Sequence, residues 1–171
     1  MFLALESVNF IMSKSFHDFV IDPDVGVMTI LKKDHPVIEM GKSLLEAMKI
    51  MRENNTGCLP VCKDGKPVGI FTEHDILHHV INEKISTDCI IDDHMVPIKG
   101  MVTTNETIGT LIHKMAHMHY RHYCVVNPET GMLEGVVSVR GILRFLAEHF
   151  PEEILNQPPN KTRYSDTVEG G

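Results

Sequence analysis

The sequence predicts an α/β fold in which two pseudo-symmetric copies of one short strand–helix–strand–strand–helix unit pack into a single module. Three observations carry this reading. A seven-residue pattern occurs twice, as Gly69-Ile70-Phe71-Thr72-Glu73-His74-Asp75 and as Gly135-Val136-Val137-Ser138-Val139-Arg140-Gly141. The residues around the two copies align at an offset of 64 before the hairpin and 66 after it, so that Leu44 matches Ile108, Met48 matches Ile112 and Met51 matches Met115. Each copy also follows a hairpin signal, Lys63-Asp64-Gly65 or Pro128-Glu129-Thr130-Gly131, and opens a helix-like run. The change of offset falls in the longer second hairpin tip, where insertions are tolerated.

The elements follow in order. In the first unit 37–39 reads as a short strand. Ser43 stands as an N-cap before a helix whose apolar stripe is Leu44, Leu45, Met48 and Met51. Segments 58–63 and 67–72 read as strands around the Asp64-Gly65 turn, and 73–82 as a helix. In the second unit 101–103 is a strand, and Thr107 caps a helix carrying Ile108, Leu111, Ile112 and Met115. Segments 122–127 and 133–138 are strands, and 139–149 is a helix that ends before Pro151. These elements divide the chain into an extension at 1–35, a first repeat at 36–84, a second at 85–150 and a tail at 151–171. Phe16, Phe19 and Val20 suggest a short docked helix in the extension, and the polar run from Pro158 reads as disordered. A unit of roughly 60 residues is marginal by surface-to-volume scaling, so the two must pack together. That brings their strand-to-helix turns to a common cleft, a typical place for a ligand.

The repeated turn carries the chemistry. It points backbone N–H groups, a helix N-terminus and a hydroxyl at one spot, which favours an anion. On residue types alone the plainer reading prevails, with Thr72 a helix cap and Asp75 a structural carboxylate. The duplicated context favours the binding reading.

The element order, the repeat length and the motif Gly-apolar-x-Thr/Ser-x-x-Asp together resemble the CBS domain, named after cystathionine beta-synthase. The two copies resemble a tandem CBS pair, or Bateman module, over about residues 36 to 150. Leu59-Pro60-Val61 and Asp93-His94-Met95 are also similar to the family. The resemblance implies an adenosine-containing ligand (AMP, ADP, ATP or S-adenosylmethionine), with AMP the first expectation and no metal required. It implies that Thr72 hydrogen-bonds ribose or phosphate. It makes Asp75, read as an exposed-edge acceptor, the partner of the two ribose hydroxyls. It puts the base against the other repeat, at Gly100, Val102, Tyr120, Arg121 and His122, with Arg121 and His122 also reaching phosphate. His74 stands where the family often has Arg and is a pH-dependent phosphate ligand. The second motif departs from the pattern, because Gly141 replaces the ribose-binding Asp. Ser138 and Arg140 remain there, with Ile38, Thr56, Gly57 and Cys58 as the implied wall of a weaker second site.

Composition bounds the function. A net charge of −7 argues against general nucleic-acid binding. An anionic nucleotide then needs a local basic patch, consistent with Arg121, His122 and Arg140. The 43% hydrophobic content supports a core, and without Trp the eleven Met help to fill it. The four Cys form no CxxC pair and fit reduced thiols in a cytoplasmic protein. The N-terminus has no basic leader pattern, and no stretch reaches the length of a membrane span. Motifs for nucleophilic or P-loop chemistry are absent, so the expectation is a regulatory module and not an enzyme. Its output then needs an effector protein. Ile76, Leu77, Val80 and Ile81, with Ile142, Leu143, Phe145 and Leu146, make apolar stripes wider than one core face needs, which points to a homodimer. Two rival readings stay open. One is a metal sensor built on the four histidines of 113–122, with His74, His78 and His79 adding ligands across a dimer. The other is a purely structural dimerisation module.

Overall fold

A computed structural model describes residues 25–98, 100–118 and 120–151. The expected helix around Phe16, Phe19 and Val20 and the tail from Pro158 lie outside the described residues.

In the first repeat β1 (Ile38–Glu39) leads to α1 (Leu44–Glu53), then to the hairpin of β2 (Cys58–Lys63) and β3 (Lys66–Thr72). One α-turn, α2 (Glu73–Asp75), runs directly into a π-helix at Ile76–Asn82. A short β4 (Val96–Pro97) closes a sheet of order β1-β2-β3-β4. The second repeat has β5 (Val102–Thr103), α3 (Ile108–Met118), β6 (His122–Val126), β7 (Leu133–Ser138) and α4 (Val139–His149), with sheet order β5-β6-β7. In both sheets the short first strand is parallel to the second, and the hairpin pair is antiparallel. The fold is the α/β pair that the sequence predicts.

The sequence dictates these elements through identifiable contacts. Ser43 and Glu46 form a reciprocal cap, with Glu46 N–H donating to Ser43 Oγ at 3.2 Å and Ser43 N–H donating to Glu46 Oε2 at 3.1 Å. Thr107 Oγ1 accepts from Thr110 N–H at 3.1 Å. Asp64 and Gly65, with φ of 51° and 74°, give the first hairpin a turn with two left-handed residues, which matches the twist of the strands. The run from 73 to 82 departs from the regular helix expected, because it is π-wound after its first turn.

The repeat reaches further back than the sequence boundaries drew it. Residues 25–32, assigned from sequence to an extension, repeat the backbone contacts of residues 89–96. Ile108 N–H donates to Val25 O, and Leu44 N–H to Cys89 O, both at 2.9 Å. Val27 N–H donates to Glu106 O at 2.9 Å, and Ile91 N–H to Lys42 O at 2.8 Å. Lys32 bridges Val136 on β7, as Val96 pairs with Ile70 on β3. The segment that leads into each repeat therefore docks on the other one. Side chains follow the backbone. Val25 and Val27 are buried among Val102, Ile108, Leu111 and Val125 in the second core. Ile91 is buried among Leu44, Leu59, Val61 and Phe71 in the first.

This crossing brings Gly135 against foreign backbone. A Cβ at Gly135 would lie 2.5 Å from the carbonyl oxygen of Lys32 and 2.9 Å from Leu31 Cδ1. Backbone cannot swing aside as a side-chain end can, so Gly135→Ala is expected to destabilise the fold by about 1–3 kcal/mol. Gly100→Ala, whose Cβ would meet nothing within 4 Å, is the matched control with no such loss. Urea unfolding of the two variants checks this.

Candidate ligand-binding site

The first strand-to-helix turn is built by two side chains. Thr72 ends β3 in extended conformation and caps the following turn. Its backbone N–H and its hydroxyl both donate to Asp75 Oδ2, at 2.8 and 2.7 Å. Asp75 N–H lies 3.4 Å from Thr72 Oγ1 and completes the reciprocal cap. Asp75 is only 6% exposed, the one buried charged residue among those described. The expectation of an exposed-edge acceptor is thereby corrected: the carboxylate is part of the turn's own framework. Both short bonds fall on Oδ2, which leaves Oδ1 as the acceptor for an outside donor.

Around this turn lies a cavity of about 450 Å³, within the usual size range of small-molecule pockets. Its first wall is Gly57, Ile70, Thr72, Glu73, His74 and Asp75 of the first repeat. Its second is Tyr120, Arg121, His122 and Tyr123 at the start of β6 in the second repeat. The crossing segment supplies the third wall, Val96, Pro97, Ile98 and Gly100. Seven of the eight residues that sequence reasoning assigned to the first site thus converge here. Val102 does not: it is fully buried in the second core. Its counterpart Ile38, assigned to the second site, is buried in the first core for the same reason. Each sits at the inward position of a two-residue strand. Gly57, also assigned to the second site, lines the first cavity instead. Its carbonyl accepts from Glu73 N–H at 3.1 Å, a contact repeated between Arg121 O and Val139 N–H.

Sequence reasoning missed Glu73 and Tyr123. The Tyr123 hydroxyl is buried with no hydrogen-bond partner among the described residues. Burial, with Tyr120 as a smaller cause, raises its pKa. The position aligns with Leu59 in the first repeat, so an apolar core site carries a polar tip only here. His122 is half-buried, and burial first, then His35 and Arg121, lowers its pKa. It therefore enters neutral solution as an imidazole with one N–H to give.

The second turn is weaker in framework. Ser138 Oγ accepts from Gly141 N–H at 3.0 Å, with no carboxylate to receive its own proton. Thr56 and Cys58, the wall expected from sequence, engage His35. His35 Nε2 is 3.1 Å from Thr56 Oγ1 and 3.6 Å from Cys58 Sγ, while Nδ1 lies 2.9 Å from Pro36 O. The carbonyl fixes the hydrogen on Nδ1 and leaves Nε2 to accept. Burial pushes the thiols of Cys58 and Cys62 up to about 11 and that of Cys124 to about 12. All three stay protonated at neutral pH and are poor nucleophiles or metal ligands.

The described histidines of the 113–122 run do not form a metal-ligand set. His113 and His117 stack at 4.0 Å, and His117 Nδ1 is 2.8 Å from His113 O, so one ring nitrogen is already committed to backbone. Among the described residues no third donor joins them. His122 faces the cavity instead.

Comparison with known proteins agrees with this architecture. The CBS domain family matches residues 11–82 and 90–148. The chain belongs to the CBS domain family. Its fold is that of a tandem CBS pair. The CBS domain pair of protein MJ0100, solved in complex with 5′-methylthioadenosine and S-adenosyl-L-methionine, is 26% identical with a TM-score of 0.66, covering 74% of this chain and 98% of that one. An uncharacterized conserved protein from Pyrococcus horikoshii is 25% identical with a TM-score of 0.64, covering 73% of this chain and 94% of that one. Over 81 residues, 47% of this chain, the sequence is 28% identical to chloride channel protein CLC-f of Arabidopsis thaliana. The chain spans about a tenth of the length of that curated relative. Among the described residues no helix is long and apolar enough to cross a membrane.

The two half-buried histidines set an acid response. Burial is the main cause that lowers the pKa of both His35 and His122 from 6.5. Below 6.5 the unfolded chain binds protons that the folded chain does not, so stability is lost as pH falls from 6.5 toward the lowered folded values. Urea unfolding at pH 8 and at successive steps below 6.5 is expected to show this loss. His35→Asn is expected to shrink it, and ring-proton NMR titrations of both histidines are expected to have midpoints below 6.5.

Proposed function

We propose that this CBS pair is a regulatory module that binds an adenosine-containing ligand in the cavity between its repeats and passes the bound state to a partner protein. The observation that carries this reading is one cavity that joins Thr72, His74 and Asp75 of the first repeat to Tyr120, Arg121 and His122 of the second. Asp75 Oδ1 accepts from a ribose hydroxyl, and Thr72 holds the carboxylate in place for it. Tyr120 offers an aromatic face for the base. His74, Arg121 and His122 supply the donors for a phosphate, which favours AMP and its higher phosphates over an uncharged nucleoside. The MJ0100 pair, solved with two adenosine compounds, supports the ligand class. On this reading the module binds and signals. The second cleft lacks the ribose carboxylate and has His35 against its wall, so one strong site per chain is the reading.

Calorimetry with AMP, ADP, ATP, S-adenosylmethionine and 5′-methylthioadenosine tests this. One saturable site per chain is expected. Asp75→Asn keeps a carbonyl to receive Thr72 N–H but loses the charge, and is expected to weaken binding by about 1.5–3 kcal/mol, roughly 10- to 100-fold. Two equal sites, or a folded Asp75→Asn variant with unchanged affinity, would sink the assignment.

We further propose a homodimer through the helices that follow each motif. Their stripes split in two. Ile76, Val80, Ile142 and Leu146 pack on the two cores, whereas Leu77, Ile81 and Leu143 are 58%, 59% and 60% exposed. Surface leucines and isoleucines that bare supply the apolar centre of an interface. Light scattering is expected to give a mass near twice 19.3 kDa, and the double variant Leu77→Asp/Leu143→Asp is expected to give the monomer mass.

A further inference from the structure

One turn beyond the cavity, the π-helix assembles a second set of donors. His78, His79 and Glu83 each offer a ligand atom, and these atoms all lie within 4.8 Å of one another. His79 Nδ1 is 2.8 Å from Glu83 Oε2, and His78 Nδ1 is 3.5 Å from Glu83 Oε1. Tetrahedral zinc with bonds of about 2.0–2.1 Å holds its ligand atoms about 3.3 Å apart, so these two separations bracket the need.

The winding of the backbone makes this possible. On an α-helix a side chain meets those three and four positions away, so Glu83 would reach His79 but not His78, five positions away. Here Glu83 N–H donates to His78 O at 3.1 Å, the i→i+5 bond of a π-turn. That wider turn seats Glu83 over the gap between the two rings. A third imidazole arrives from elsewhere in the chain. His94 follows the 3₁₀ turn Ile91–Asp93, and its ring lies 5.1 Å from that of His79. Three imidazoles and one carboxylate are the donor set of a borderline transition metal, not of calcium or magnesium.

We propose that His78, His79 and Glu83, with His94 as the fourth donor, bind one zinc-class divalent ion. The ion takes the place of the hydrogen that His79 and Glu83 share. It stitches the π-helix to the segment that crosses between the repeats. This site is distinct from the 113–122 run, whose described ring nitrogens do not converge with a third donor. It stands whether or not the cavity binds a nucleotide.

The test is calorimetric titration of the chelator-stripped full chain with zinc alone, without nucleotide. One zinc per chain is expected. His79→Ala and Glu83→Gln are each expected to weaken it at least tenfold, and His113→Ala to leave it unchanged. Cobalt(II) is expected to give the visible bands of a tetrahedral nitrogen and oxygen site, lost in His79→Ala. Circular dichroism checks each variant for folding, and His78→Ala, at an exposed position, repeats the test should His79→Ala unfold. Absence of saturable zinc binding overturns the proposal. So does zinc binding that survives both His78→Ala and His79→Ala, or that is lost in His113→Ala.

Discussion

The exchange of leading segments between the repeats is the constraint on which the rest depends. An isolated repeat would leave the outer edge of β3 or β7 with unpaired backbone groups. Lys32 bridges one of these edges and Val96–Pro97 the other. The same crossing carries Val25, Val27 and Ile91 into cores that the partner repeat cannot complete alone. Neither repeat can then separate without exposing apolar surface and breaking sheet contacts together. The cavity is a by-product of this arrangement. The crossing segment forms its third wall, and its other two walls are held at the distance the crossing sets.

On this nearly symmetric backbone the side chains are not symmetric, and the difference is chemical. At the first turn the hydroxyl of Thr72 has a buried carboxylate to donate to. At the second, Ser138 has only a backbone N–H to accept. Gly141 has room for a side chain, since a Cβ there would meet Ser138 Oγ at 3.4 Å, an ordinary contact. The missing carboxylate is therefore a matter of residue choice and not of crowding. Across the repeat, Arg121 and His122 of the first cavity align with Gly57 and Cys58. A cation and an imidazole are exchanged for a glycine and a protonated thiol.

Much of this was legible in the sequence, because the informative signals were local. Caps at Ser43 and Thr107 and the Asp64-Gly65 turn are short-range features, and the structure reproduces them. Val102 and Ile38 were misplaced because a two-residue strand gives too little alternation to tell the inward face from the outward one. The π-helix was invisible for a similar reason: over seven residues a period of 4.4 and one of 3.6 mark nearly the same apolar positions. The role of 25–32 was missed because its repeat partner, 89–96, carries little sequence likeness. Backbone hydrogen bonds, not side chains, define that equivalence. Burial of Asp75 was missed since a carboxylate is assumed exposed until its partners are seen.

The run from Thr72 to Glu83 faces three surroundings at once. Its first residues line the cavity, Ile76 and Val80 pack on the first core, and Leu77 and Ile81 face outward. The hydrogen-bond geometry of a π-turn is uncommon and is held here by packing on one side and by the histidine and glutamate contacts on the other. A ligand shifts a conformational equilibrium only by its differential affinity for the two states. A molecule that touches both Asp75 and His122 meets that condition, because its contacts exist together only when the two repeats hold their present spacing. The outward residues of the same run would carry any change in winding to the surface. A CBS pair with no catalytic domain among its described residues has, in this run, a physical route from an interior cavity to an exterior face.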